Sequence, residues 1–164
     1  MKVRKLSRIA AGVGLAALLL GAAGLWLAAR ASQRPVQAGL ADGRLRPCPP
    51  TPNCVCSEDP DPERRVPAFA TEDGGGDPGA AFASLVSHVQ ALEEAEALQI
   101  GEDYAHFVFR TPLLGFADDL ELRLDAGAGL IHVRSSSRVG RSDLGANERR
   151  VERLREGWQP LQYR

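Results

Sequence analysis

The chain has 164 residues, and its first 34 read as a targeting or anchoring segment, which leaves room for one folded domain and not two. Hydrophobic residues at 44% and charged ones at 25% exclude whole-chain disorder, collagen-like repetition and a polytopic membrane protein. The formal net charge of −1 hides a division: residues 1–34 carry six cations and no acid, residues 35–129 six cations against 17 acids, and residues 130–164 eight cations against four acids. An acidic domain with 5% aromatics has neither the positive footprint nor the stacking platforms of a nucleic-acid binder, so no nucleic-acid partner is expected.

From Ile9 to Ala29 the chain runs without a charge. A helix of that length spans about 31 Å, the thickness of a bilayer's hydrocarbon core. Lys2, Arg4, Lys5 and Arg8 before it favour a cytoplasmic N-terminus, with the C-terminal domain exported, most simply from a bacterial inner membrane into the periplasm. Trp26 suits the outer interface. An uncleaved anchor is the favoured reading; Ala29-Arg30-Ala31 also resembles a small-x-small cleavage site, so secretion after cleavage following Ala31 is the alternative. Cys48 lies too far beyond the apolar run for a lipoprotein.

Residues 35–76 form a Pro/Gly-rich segment, with Pro47, Pro49, Pro50, Pro52, Pro60, Pro62 and Pro67, and are expected to be ordered loop ending in a hinge at Asp73-Gly74-Gly75-Gly76. Cys48, Cys54 and Cys56 all fall in it. In an oxidising compartment a disulfide is favoured, and Cys48 with Cys54 would close a small loop of prolines. Three thiols without a neighbouring histidine do not make a metal site, and no metal or cofactor is expected. Cys56 is then free, paired between chains, or an alternative partner in the same loop.

An α+β core is expected over 77–164. Asp77 is a candidate N-cap and Pro78 starts a helix to about Leu92, with Phe82, Leu85, Val86, Val89 and Leu92 at helical spacing. His88 beside that stripe reads as a surface or edge histidine. Strand patterns follow at Glu94–Ile100, Tyr104–Thr111, Asp118–Asp125 and Gly129–Ser137, joined by connections short enough to demand antiparallel neighbours. A last helix begins near Asp143, a candidate N-cap, and aligns Leu144, Asn147, Val151, Leu154 and Trp158. The economical answer is a two-layer fold: a four-stranded antiparallel meander with an N-terminal and a C-terminal helix on one face, preceded by a transmembrane helix.

The most unusual stretch is Arg134-Ser-Ser-Ser-Arg-Val-Gly-Arg-Ser-Asp-Leu-Gly-Ala-Asn147, running from the last strand into the last helix. Together with Pro47-Cys-Pro-Pro-Thr-Pro-Asn-Cys-Val55, it resembles the family catalogued as domain of unknown function 1499, and Asp118-Asp119 fits as well. The resemblance covers about Leu45 to Trp158. At Cys56 that family more often has serine, which implies Cys48 and Cys54 as the disulfide pair and leaves Cys56 as the extra, alkylatable thiol. It implies no activity.

Strand alternation separates two roles within the motif. If Ile131 and Val133 face the helices, so do Ser135 and Ser137, natural partners for the Asn147 amide, and these with Asp143 form a structural motif. The other face would be uncovered and would gather His106, Arg110, Arg123, His132, Arg134 and Arg138. Arginine offers a planar fork suited to carboxylate or phosphate, so this face is a candidate recognition surface for a protein or anionic envelope ligand. On an open face Arg134 and Arg138 could be replaced with little change in stability. An enzyme is the weaker alternative, a small hydrolase or transferase using Ser, His and Asp near the motif. Gly140-Arg141-Ser142-Asp143-Leu144 lacks the final glycine of a nucleophile elbow, and the glycine run at 74–76 lacks the Gly-Lys-Ser/Thr of a phosphate loop.

Overall fold

A computed structural model describes residues 2–34, 37–74 and 76–158; Gly75 of the expected hinge and the residues after Trp158 lie outside the described residues. The chain opens with one long helix, α1 (Lys2–Ser32). Its stretch Gly12–Ser32 is 21 residues long and apolar enough to cross a membrane by length and composition, as an anchor or a signal sequence would. Leu15, Leu18, Leu19, Leu20 and Leu27 project from it uncovered by the rest of the chain. The last turn is different: Ala29 and Ser32 are buried. Ser32 Oγ donates to the Ala29 carbonyl (2.6 Å) and accepts the Ala117 N–H (3.0 Å), and Gln33 Nε2 donates to the Gly115 carbonyl (2.6 Å).

The proline-rich segment holds more structure than a loop. β1 (Leu40–Ala41) and β2 (Arg44–Leu45) form a hairpin. Its turn residues Asp42 and Gly43 both take positive φ (52° and 76°), the conformation that an Asp-Gly hairpin turn requires. β3 (Cys54–Cys56) and β4 (Phe69–Ala70) follow, then α2 (Pro78–Gln90), β5 (Ala95–Ile100), β6 (Tyr104–Arg110), β7 (Ala117–Asp125), β8 (Leu130–Ser137) and α3 (Ala146–Gly157).

The main sheet has six strands in the order β3-β8-β7-β6-β5, with β4 also on β8, and every pairing in it is antiparallel. The expectation of four strands is corrected here. Segments of three and two residues between prolines carry no readable alternation, yet β8 would otherwise leave its outer backbone groups unpaired. Cys54 to Cys56 pair with Ser136 to Arg134, and Phe69 with Ile131.

Both helices lie on one face. Asp77 caps α2 by accepting the Ala80 N–H (2.7 Å), with Pro78 in the first turn where no N–H is needed. α3 begins later than expected, with Gly145 in a left-handed conformation at its N-cap, and Asp143 acts from upstream by accepting the Gly145 (3.0 Å) and Asn147 (2.8 Å) N–H groups. Phe82, Leu85, Val86 and Val89 of α2 and Val151 and Leu154 of α3 pack on Phe107, Phe109, Leu120, Leu122, Ile131 and Val133. Full burial of each such side chain is worth about 1.5–3 kcal/mol. Trp158 closes the cluster edge-on against Phe69 (5.8 Å between centroids) and donates its indole N–H to Ser84 Oγ (3.2 Å).

The opposite face is covered too, which overturns the expectation of an open surface. Residues 37–48, ahead of β3, cross it as a strap. Gly39 N–H donates to Glu121 Oε1 (2.7 Å), and Leu45 packs with Tyr104 and Cys56 in a second small core. Glu58 ties the strap down: its carboxylate accepts the Leu45 N–H (2.8 Å), Arg44 (2.9 Å) and Arg123 (2.9 Å). The disulfide joins Cys48 and Cys54, with Cα atoms 5.6 Å apart. Arg64 supplies donors to the Pro49 and Pro50 carbonyls, which have no neighbouring strand to pair with.

Candidate functional site

The two sequence motifs meet at Asn147, which is fully buried on the first turn of α3. Its Oδ1 accepts from Ser135 Oγ (2.7 Å) and Arg150 Nη1 (2.6 Å). Its Nδ2 lies within hydrogen-bond reach of the Asn53 carbonyl (3.0 Å), Ser137 Oγ (3.0 Å) and Asp143 Oδ2 (2.8 Å). Asn53, buried beside the disulfide, donates its own amide to the Gly140 carbonyl (2.9 Å) and accepts the Ser137 N–H on its backbone oxygen (2.9 Å). One hydrogen-bonded knot therefore joins the cysteine loop, the end of β8, the turn after it and the start of α3. Asn53 was not singled out in the sequence, because an asparagine in a proline loop reads as a turn residue.

On the strap side of the sheet the ionisable residues stand in two acid-centred groups. Asp119 accepts both Nε (2.9 Å) and Nη2 (2.7 Å) of Arg138 and contacts His106 Nε2 (2.7 Å). Burial alone would push its carboxyl up, but the bonds from His106 and Arg138 outweigh that and hold it below the usual range. Glu121, with no exposed surface, accepts Arg134 Nη1 (2.7 Å), the Tyr104 hydroxyl (2.8 Å) and the Gly39 N–H. Burial and the neighbouring Glu121 charge push the Tyr104 phenol up, so it stays a donor.

Strand register puts these residues side by side: His106 faces Glu121, which faces Arg134, and Asp119 faces Ser136. A cleft of about 390 Å³ opens between them and the strap, lined by Arg46, Pro47, Asp119, Arg134, Ser136 and Arg138 among others. Three arginines thus line it with one acid, Asp119; Arg134 and Arg138 are paired with Glu121 and Asp119, and Arg46 is the cation without a carboxylate partner among the described residues. The Nε atoms of Arg46 and Arg134 are buried without a hydrogen-bond partner, which costs free energy.

Of the six residues expected on the recognition face, Arg134 and Arg138 line this cleft. The others are engaged elsewhere: His106 with Asp119, Arg110 with Glu96 and Gln33, Arg123 with Glu58, and His132 Nδ1 with Ser57 Oγ (3.1 Å). Arg46 is the addition, beside Ser136, which parity places on the same face as Arg134 and Arg138. Arg46 precedes the proline run two residues after Arg44, and the strap's fold over the sheet brings it to the motif.

The serines of the motif do not assemble a catalytic triad. Ser135 and Ser137 are held by Asn147, and Ser142 Oγ accepts the Leu144 N–H (3.3 Å). The hydroxyl that meets an imidazole among the described residues is that of Ser57, which also accepts the Val133 N–H (2.9 Å). Burial pushes His132 down, and its Nδ1 shares a hydrogen bond with Ser57 Oγ. The acid nearest by charge, Glu58, is occupied by Arg44, Arg123 and the Leu45 N–H.

Cys56 is the free thiol among the described residues, as expected, but it has no exposed surface, and burial pushes the thiol up to about 11.

The family model described as "Protein of unknown function (DUF1499)" matches residues 44–157. The chain belongs to the DUF1499 family. No curated protein and no solved structure was found to match it. The DUF1499 match begins at Arg44 in the strap and ends at the last residue of α3, so it takes in both halves of the Asn147 knot and all three arginines of the cleft.

Proposed function

We propose that this DUF1499 protein is a membrane-anchored exported domain that binds an anionic group, a phosphate or carboxylate, in the cleft between strap and sheet. The observation that carries the reading is that Arg46, Arg134 and Arg138 line one cleft and that Arg46 has no carboxylate partner among the described residues. A guanidinium fork matches the geometry of either oxyanion, and partial burial strengthens the pairing over what water would allow. Arg138 and Arg134 are already fixed by Asp119 and Glu121, so little side-chain entropy is lost when they bind. Arg46 forms no ion pair among the described residues and is the cation free to respond.

The anchor reading rests on α1. Its uncovered leucines need lipid, and a disulfide fits an exported domain. Cleavage after Ala31 would remove Ala29, which is buried in the fold and whose carbonyl holds Ser32 and Gln33. These contacts support the uncleaved form as the functional one, and the reading takes the N-terminus as cytoplasmic and the domain as periplasmic.

The test uses the full chain in detergent, titrated with inorganic phosphate and with acetate while the melting temperature is followed. The reading expects at least one of the two to raise the melting temperature of the wild type, and expects Arg46→Ala to abolish that rise while melting normally without ligand. Equal responses of wild type and Arg46→Ala would remove the cleft as the binding site.

A further inference from the structure

Of the four exposed leucines described outside α1, three gather at the end that holds that helix, the fourth, Leu98, standing on the edge strand β5. The β6–β7 loop, residues 111–116, presents Leu113 with 92% and Leu114 with 41% of its surface exposed, and the β8–α3 loop presents Leu144 with 85% exposed. Neither loop is slack. The first is closed by the Thr111 N–H on the Phe116 carbonyl (2.9 Å), the Gly115 N–H on the Thr111 carbonyl (2.9 Å) and the Phe116 N–H on Thr111 Oγ1 (3.0 Å). In the second, Leu144 has φ +54°, a left-handed conformation that a leucine rarely adopts, while its carbonyl accepts Arg149 Nη1 (2.8 Å). A strained backbone that holds an apolar side chain outward is an outlier that calls for a use.

Both loops flank the last turns of α1. Gly115 and Ala117 hydrogen-bond Gln33 and Ser32, and a crevice of about 320 Å³ is lined by Ala28 of the helix together with Phe116, Val139 and Gly140 of the two loops. The leucines thus sit at the level where the apolar span ends. Arg141 and Arg149, both exposed, stand in or beside the second loop. At the opposite end of the sheet the turn after β5 exposes Glu102 and Asp103, next to Ile100 with 47% of its surface exposed.

We propose that these two loops seat the domain on the bilayer that α1 enters, with Leu113, Leu114 and Leu144 inserted into the headgroup–acyl boundary and Arg141 and Arg149 against anionic headgroups. The occupant of this surface is lipid, because the loops grip the helix where it leaves the hydrocarbon, and apolar tips with Arg141 and Arg149 beside the second of them match an interface that is apolar below and anionic above. The docked turn of α1 and the seated loops together fix which side of the domain faces the membrane. This inference rests on the reading of α1 as an anchor and is independent of the anion cleft.

The test places a nitroxide on the full chain, in a Cys56→Ser background, in vesicles of phosphatidylethanolamine and phosphatidylglycerol. Labels are carried by Leu113→Cys and Leu144→Cys, by Ile100→Cys near the acidic end of the sheet, and by Trp26→Cys within α1. Collision with oxygen, which concentrates in lipid, is compared with collision with a water-soluble nickel chelate. The expected result is oxygen-biased accessibility at 26, 113 and 144 and nickel-biased accessibility at 100. Nickel-biased labels at 113 and 144 with an oxygen-biased label at 26 would overturn the seating and leave the anchor standing. A nickel-biased label at 26 would overturn both.

Discussion

Asn147→Ala tests whether the shared motif is a structural knot. The substitution removes the amide from five hydrogen-bonding partners: Ser135, Arg150, Asn53, Ser137 and Asp143. Three of them keep other partners. Arg150 Nη1 still reaches Ser135 Oγ, the Asn53 carbonyl still accepts the Ser137 N–H, and Asp143 still accepts the backbone N–H of residue 147. The loss falls on the fully buried Ser135 hydroxyl, which is left without an acceptor, and less heavily on half-buried Ser137. At about 1–3 kcal/mol for each stranded buried group the expected destabilisation is about 3 kcal/mol in total. Urea unfolding of the full chain in detergent, followed by the fluorescence of buried Trp158, reads this as a fall in midpoint of about 1.5 M for a slope near 2 kcal/mol/M. Asn147→Asp adds a second signature. One of its oxygens would face Asp143 Oδ2, which lies 2.8 Å from the present Nδ2, so it should be worse than alanine at neutral pH and recover toward alanine as the pH is lowered. A loss from Asn147→Ala of less than about 1 kcal/mol would refute the reasoning.

Arg134→Ala strands the Glu121 carboxylate, which keeps only Tyr104 and Gly39 as donors, and should destabilise by about 3 kcal/mol in the same unfolding assay, whereas Arg46→Ala should stay within about 0.5 kcal/mol of wild type. Glu58 carries an acid-labile contribution: burial pushes its carboxyl up, but Arg123, the Leu45 N–H and Arg44 outweigh this and hold it at about 2 against an ordinary 4.5. Its stabilisation is therefore complete above pH 4.5 and is lost as pH falls toward 2, so Glu58→Gln should melt lower at neutral pH and show a smaller decline across that acid range than the wild type. Reducing the Cys48–Cys54 bond releases a short loop and should cost about 2 kcal/mol of stability, read from unfolding with and without reductant. Cys56 should resist alkylation until the chain is unfolded, which mass spectrometry of iodoacetamide-treated protein will show.

The parts of the fold legible in the sequence were those written in periodic apolar residues. Phe82, Leu85, Val86 and Val89 mark α2 at helical spacing, and Leu120, Leu122, Ile131 and Val133 mark the inner face of β7 and β8 at strand spacing. Parity also sorted the motif, placing Ser135 and Ser137 with Asn147 and Arg134 on the other side. What parity could not show is what covers the other side. The strap owes its path to single contacts, Gly39 on Glu121 and Glu58 on Arg44 and Arg123, which have no period. Its hairpin did carry a signal, Asp42-Gly43 between Leu40-Ala41 and Arg44-Leu45, but two-residue strands beside a proline run hide it. That missed cover explains why Arg134, a surface residue by its charge, is a buried partner of Glu121, and why Arg134 and Arg138 line a cleft rather than an open face.

The claim that the cleft takes an anion is tested most directly at the donors themselves. In nitrogen–proton spectra of the full chain in detergent micelles, each arginine Nε–H gives its own signal, assigned by substitution. Arg46 and Arg134 each have an Nε buried without a partner, whereas Arg123 donates its Nε–H to Glu58 (3.1 Å) and serves as the internal control. On titration with inorganic phosphate and then acetate, at least one anion should shift the Arg46 and Arg134 signals saturably and together, with Arg123 unmoved. Signals from Arg46 and Arg134 that stay in place with both anions, or that move no more than Arg123 does, would contradict the account.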